Sequence, residues 1–92
     1  MTKQHTPGPW AASPYNNVTS RNGTIAKIEQ MPGNDDSERE ANARLIASAP
    51  DLLSALRFLL ADYVAINGEK LTGSSVPVEM ARAAIAKAEG VA

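Results

Sequence analysis

Polar and turn-forming residues dominate roughly the first third of the chain, and apolar residues at helical spacing dominate the remainder. Between residues 10 and 30, strand-favouring residues are interrupted by two turn-forming segments, 14–17 and 21–23. This pattern predicts a short antiparallel meander of about three strands. Asn22-Gly23 predicts a two-residue hairpin turn, because a type I′ turn needs positive φ at both central positions and this pair meets that need at low cost.

A pair of helices is predicted after the strand region. Ser37 and Glu40 have the spacing of a capping box, which predicts a first helix from about Glu38 to Ala47. The segment 48–51 repeats a helix-start pattern, with proline and an acidic residue in the first turn.

That second helix is predicted to run to about Ile66. Asn67-Gly68 is predicted to form its C-terminal cap, because both residues tolerate the left-handed conformation common at helix ends. A third helix is predicted to open at 75–77 and to end near Glu89, with Gly90 as its stop.

These elements predict an α+β fold in one domain over residues 1–92. It comprises a strand region (1–31), a helix pair (37–67) and a C-terminal helix (75–89). A chain of 92 residues is too short to bury two separate cores. It contains no cysteine, which excludes disulfides, thiolate metal ligands and cysteine nucleophiles.

The second predicted helix carries more apolar surface than a half-buried helix needs. About half of its circumference is predicted to be core, and these residues are Leu52, Leu53, Leu56, Leu59, Leu60, Tyr63, Val64 and Ile66. Phe58 projects from the other half, beside Ala61 and Ala65. Either the third helix or a second copy of the chain is expected to cover Phe58, so these three residues are the predicted interface of a homo-dimer or higher oligomer.

Charge and hydropathy exclude several classes of partner. The net charge is −1 with acidic and basic residues interleaved, which argues against generic nucleic-acid binding. No apolar leader follows the first residues, and no apolar run is longer than that at 58–61, which is far shorter than a membrane span. We therefore expect a protein that is neither secreted nor inserted in a membrane.

No catalytic constellation is recognisable. His5 is the only histidine and has no triad partners at motif spacing, and the glycines are scattered singly rather than grouped in a phosphate loop. The acidic residues between 35 and 40 are explained by helix capping and lack the spacing of a calcium loop. The expectation is a non-enzyme with no metal and no cofactor.

Three residues of the first half are candidate binding residues with a structural alternative. Trp10 is expected to fill the space between the sheet and the second helix, or to stack on a ligand. His5 is expected to be solvated or to cap a turn. Asn42 is a poor helix former inside the first helix, which favours a specific bond of its amide, either to backbone of the strand region or to a ligand.

Arg44 and Arg57 complete the candidate binding set. Arg44 follows Glu40 by four residues, the spacing of an intrahelical ion pair. The alternative is that Arg44, Arg39 and Arg57 converge on an anionic ligand.

Two segments resemble a group of small bacteriophage and prophage proteins. Residues 5–10 read His-Thr-Pro-Gly-Pro-Trp, and residues 41–56 match the pattern ANARLIAxAPxLLxAL of that group. The match covers about the first 60 residues. The resemblance implies a phage origin and a role in the cytoplasm of an infected bacterium, and no catalytic residues carry over from it.

The expected function is therefore that of a phage accessory protein. It would bind a host protein stoichiometrically and inhibit a defence or takeover target, for example a CRISPR effector. One alternative is an oligomeric sponge for a nucleotide immune signal, with Trp10 stacking on the base and an arginine on the phosphate. A second is a structural or regulatory phage subunit, and an enzyme acting on nucleotides has the least support.

Overall fold

The computed structural model describes residues 4–29, 35–68 and 76–90, and these form three strands followed by three helices. The elements are β1 (Ala11–Ala12), β2 (Asn17–Ser20), β3 (Gly23–Lys27), α1 (Asp36–Ala47), α2 (Ala49–Asn67) and α3 (Val76–Glu89). The predicted α+β class is confirmed. Ser75, the predicted first residue of the third helix, lies outside the described residues.

The described residues group into two compact units. The strand unit contains β1 to β3, α1 and the first turn of α2, within residues 6–51. The helix unit contains the rest of α2 and α3, within residues 52–90, together with residues 4–5. The single domain expected from chain length stays a prediction.

The strands form one antiparallel sheet in the order β1-β2-β3. Ser20 pairs with Gly23, so Arg21 and Asn22 form the connection between β2 and β3. Gly23 has φ +131°, whereas Asn22 is not in the positive-φ region. The predicted Asn-Gly type I′ turn is therefore wrong, although the hairpin is present. The Ser20 hydroxyl accepts the Asn22 N–H at 3.1 Å, a local bond that favours a turn one residue earlier.

Helix α1 begins earlier than the capping box of Ser37 and Glu40 predicts. Asp35 is the N-cap, in extended conformation, and its Oδ1 accepts the Glu38 N–H at 2.9 Å. Asp36 and Glu38 add negative charge to the first turn, where the helix dipole favours it. Asp35 precedes Glu38 by three residues, so two overlapping capping patterns exist in the sequence and the first one is used.

Replacing Asp35 by alanine is expected to lower the free energy of unfolding by about 1 kcal/mol, because the Glu38 N–H in the first turn of α1 loses its hydrogen-bond acceptor. Urea denaturation followed by circular dichroism measures this change. Ser37→Ala is the matched control and is expected to change stability by less than about 0.5 kcal/mol, because Ser37 is an exposed residue within α1. Equal losses for the two variants would contradict the assignment of the cap.

The core of the strand unit lies between α1 and the sheet. Helix α1 packs against β1 and β2, and both Val18 on β2 and Ala43 on α1 have no solvent exposure. The guanidinium of Arg39 reaches from α1 past β3, where its Nη2 donates to the Ile28 carbonyl at 2.9 Å. Burial and this hydrogen bond together fix α1 on the sheet.

The segment before β1 packs closely on the start of α2. A Cβ at Gly8 would lie 3.2 Å from the Cβ of Pro50, which is buried. Glycine at this position permits the approach, because a larger side chain would need the space that the proline ring occupies.

The helices end near the predicted residues, but most of the capping interactions differ from the predicted ones. Ser48 closes α1 rather than opening α2, since its hydroxyl donates to the Arg44 carbonyl at 2.9 Å. Neither Asn67 nor Gly68 adopts the predicted left-handed conformation, and Asn67 instead donates its Nδ2 to the Tyr63 carbonyl at 3.1 Å. Gly90 does end α3 with φ +75°.

Candidate interaction surface

The apolar half of α2 that the sequence predicts as core is largely exposed. Leu52, Leu59, Tyr63 and Ile66 are 55, 68, 45 and 78% exposed. The other four predicted core residues are only partly buried, and these are Leu53, Leu56, Leu60 and Val64. The prediction of a buried half is therefore wrong, because half of these side chains are largely exposed and the other half only partly buried.

Five of these residues form one continuous line along α2, which we call the α2 stripe. They follow each other at intervals of four, three, four and three residues, and they are Leu52, Leu56, Leu59, Tyr63 and Ile66. This is the spacing of a coiled-coil seam, which keeps the side chains on one face for about 21 Å at 1.5 Å per residue. Burying a side chain of this kind contributes about 1.5–3 kcal/mol, so the open stripe forgoes several kcal/mol in the isolated chain.

The side of α2 that is partly covered faces α3. Arg57 and Glu89 form an ion pair across the two helices, with Nη2 and Oε1 2.9 Å apart. Val78 of α3 is buried, and it is the one buried residue among the described residues of the helix unit. Arg57, a candidate ligand residue, is therefore already engaged by a carboxylate.

An apolar groove lies where the α2 stripe meets α3. It has a volume of about 220 Å³ and is lined by Leu56, Leu59, Leu60, Tyr63, Pro77, Val78 and Ala81. Small-molecule sites usually measure about 300–1,000 Å³, so this groove suits inserted side chains better than a drug-sized ligand.

Phe58 stands apart from the stripe, about 100° around the helix from Leu59. It is 76% exposed, and Ala61 and Ala65 beside it are exposed as well. We call these three residues the Phe58 patch. Helix α3 does not cover it, so the first of the two predicted covers is excluded, while a second copy stays a prediction.

A polar cleft of about 780 Å³ lies in the strand unit, between the turn after β1 and the outer side of α1. Its lining includes Tyr15, which is 82% exposed, and four charged residues of α1. Arg44 lies 3.6 Å from Glu40, and Arg39 lies 3.5 Å from Asp36, each measured between guanidinium nitrogen and carboxylate oxygen. The predicted Arg44–Glu40 pair is present. An anionic ligand would have to compete with both carboxylates, which disfavours phosphate binding here.

The remaining candidate residues are not gathered in that cleft. Trp10 is partly buried, and its Nε1 donates to the Thr6 carbonyl at 3.1 Å within the segment before β1. His5 is exposed and belongs to the other unit. Neither residue lines the cleft, so the predicted combination of stacking and phosphate contact does not assemble there.

The predicted bond from Asn42 to the strand region is made by another residue. Within the described residues the Asn42 amide forms no hydrogen bond, whereas Arg39, three residues earlier on α1, bonds the Ile28 carbonyl. From the sequence, Arg39 is predicted only as a ligand residue. Its side chain is longer than that of Asn42, and this length is the signal in the sequence that favours Arg39 for a bond to the strand region.

Other kinds of site have little support in the described ranges. Among residues 4–29, 35–68 and 76–90, no three histidine, cysteine or acidic residues are close enough together to hold a metal ion. In the same ranges, no helix combines the length and the apolar character that crossing a lipid bilayer requires.

Comparison with known proteins places the chain among phage proteins. The family model described as Salmonella phage P22 protein Y8K6 matches residues 1–92. No curated protein and no solved structure matches significantly. The match supports the phage origin that the resemblance implies, and the two sequence motifs as marks of the group stay predictions.

Proposed function

The chain belongs to the family of Salmonella phage P22 protein Y8K6, since the family model spans all of it. From this premise we propose that the chain is a phage accessory protein that acts by stoichiometric binding. Its target is a host protein of defence or takeover in the bacterial cytoplasm, which it inhibits without a catalytic step. The Phe58 patch is the surface that contacts the target.

The observation that carries this proposal is the exposure of Phe58. A phenylalanine that is 76% exposed on a well-formed helix keeps a large apolar area in water. Aromatic residues are enriched at the centres of protein interfaces, where they bury much area at a small cost in side-chain entropy. The neighbouring Ala61 and Ala65 leave room for a partner's backbone or side chains to approach the ring.

The charged residues support binding rather than chemistry. Arg39, Arg44 and Arg57 each lie within 4 Å of a carboxylate. Guanidinium groups paired in this way orient and stabilise helices, and they are poor stabilisers of a developing negative charge on a substrate.

Replacing Phe58 by serine is expected to abolish the biological effect while leaving the fold intact. The measurement is phage plating on a host that carries a defence system, with and without expression of the protein. The wild-type chain should raise plating. The Phe58→Ser variant should not raise it, because loss of an interface hot spot weakens binding of the target at least about 30-fold.

Tyr15→Ser is the matched control, because Tyr15 is an equally exposed aromatic residue on the polar cleft of the strand unit. It should retain the full plating effect, and a purified target should bind wild type and Tyr15→Ser, but not Phe58→Ser, at one target per chain. Loss of function in Tyr15→Ser alone would contradict the assignment to the Phe58 patch. No effect of wild type on any defended host, together with its presence in purified virions, would replace the proposal by a structural role.

A further inference from the structure

We propose that the α2 stripe is a self-association surface, occupied by α2 of a second copy that lies antiparallel to it. This proposal rests on the proposed function, which assigns the Phe58 patch to the target. The patch lies outside the α2 stripe, so it stays open for a target in each copy. The chain still forms the predicted oligomer, but the interface is the α2 stripe instead of Phe58, Ala61 and Ala65.

The stripe is self-complementary about Leu59 to within one residue. Leu52 and Ile66 each lie seven residues from Leu59, whereas Leu56 lies three and Tyr63 four residues from it. An antiparallel copy therefore places Leu52 against Ile66 and Leu59 against itself, and it sets Leu56 and Tyr63 against each other with an offset of about 1.5 Å along the axis, in five layers related by a two-fold axis. Each layer then combines side chains that interdigitate, the large Tyr63 with the smaller Leu56. A parallel copy would instead place both tyrosines in one layer, where their combined volume exceeds that of the leucine layers.

Charge favours an apolar occupant of the stripe. The stripe contains no charged residue, so a second copy meets no like charge across it. Asp62 is the nearest charge on the open side of the stripe, and an antiparallel copy sets it beside Ala55 of that copy.

The helix unit keeps much of its apolar side-chain surface exposed. Its described residues bury only Val78, although α2 and α3 carry many leucine, isoleucine and valine side chains. Association through the stripe supplies the missing burial, and the 220 Å³ groove beside it receives side chains of the second copy.

Analytical ultracentrifugation of the full chain at micromolar concentration is the first measurement. We expect twice the 9.7 kDa mass of one chain. Leu59→Glu is expected to weaken dimerisation at least about 30-fold, as at an interface hot spot, and to sediment as a single chain. Phe58→Glu, the neighbouring control outside the seam, should remain dimeric.

A charge-swap experiment shows that the monomeric variant is folded. Leu59→Glu and Leu59→Lys should each be monomeric, and an equimolar mixture should regain the dimer mass, because opposite charges then meet in the central layer. Single-chain mass for the wild type, or a dimeric Leu59→Glu, would overturn the proposal. These readouts are masses and are independent of phage plating, so failure of self-association is distinguished from failure of the proposed function.

The orientation is tested with introduced cysteines, for which the cysteine-free chain is a clean background. The Leu52→Cys and Ile66→Cys variants should cross-link under mild oxidation only when they are mixed. Cross-linking of each variant with itself, and not in the mixture, would show a parallel pair and overturn the antiparallel arrangement.

Discussion

Replacing Val18 by aspartate is expected to unfold the strand unit or to lower its free energy of unfolding by more than about 3 kcal/mol. Val18 lies on the central strand of the sheet, has no solvent exposure and is the largest fully buried side chain among the described residues. Aspartate at this position would place a carboxylate where water does not reach it. Thermal denaturation followed by circular dichroism should show a fall of about 10 °C or more.

Thr24→Asp is the matched control, because it introduces the same charged residue into a strand but at an exposed position. Thr24 is an exposed residue of β3, paired with Thr19 of β2, so a carboxylate there stays hydrated. Its expected cost is about 1 kcal/mol at most, from strand propensity. A similar loss for both variants would show that burial of Val18 does not hold the unit together.

Enlarging Ala43 to leucine is expected to destabilise the chain by about 1–3 kcal/mol, because a well-packed site must shift to accept the added carbon atoms. Ala43 is fully buried on α1, the helix that packs against β1 and β2. Urea denaturation gives the free energy of unfolding, and an unchanged slope would show that the denatured state is unaffected.

Ala41→Leu makes the same chemical change two residues earlier on the same helix. Ala41 is exposed, and alanine and leucine both favour helices, so the expected change is within about 0.5 kcal/mol. If Ala43→Leu were as harmless as Ala41→Leu, the space between α1 and the sheet would hold room for a larger side chain, which contradicts close packing at Ala43.

The two units have different roles in the proposed mechanism. The strand unit carries the fully buried residues Val18 and Ala43, whereas the helix unit carries the α2 stripe and the Phe58 patch. Dimerisation through the α2 stripe would leave two Phe58 patches, one on each copy. A target with two binding sites would then gain affinity by avidity.

The sequence predicts the elements well because their signals are local. Turn formers and strand-favouring residues predict the meander, and Gly90 at the end of α3 acts as predicted. The errors at this level are also local. Asp35 competes with Ser37 as the cap of α1, and the Ser20 hydroxyl competes with the turn preference of Asn22-Gly23.

The site is less predictable, because the same periodicity describes a buried face and an open one. The apolar half of α2 is visible in the sequence, but its division into a partly covered side and an open stripe depends on where α3 lies. The 2.9 Å ion pair between Arg57 and Glu89 marks the side on which α3 packs.

The sequence by itself determined the order and approximate limits of the strands and helices. These properties depend on hydrogen bonds and side-chain preferences over a few residues. Only the tertiary structure decided that Leu52, Leu59 and Ile66 are exposed while Val18 and Ala43 are buried. Burial depends on which distant elements pack together, and no pattern within one helix contains that information.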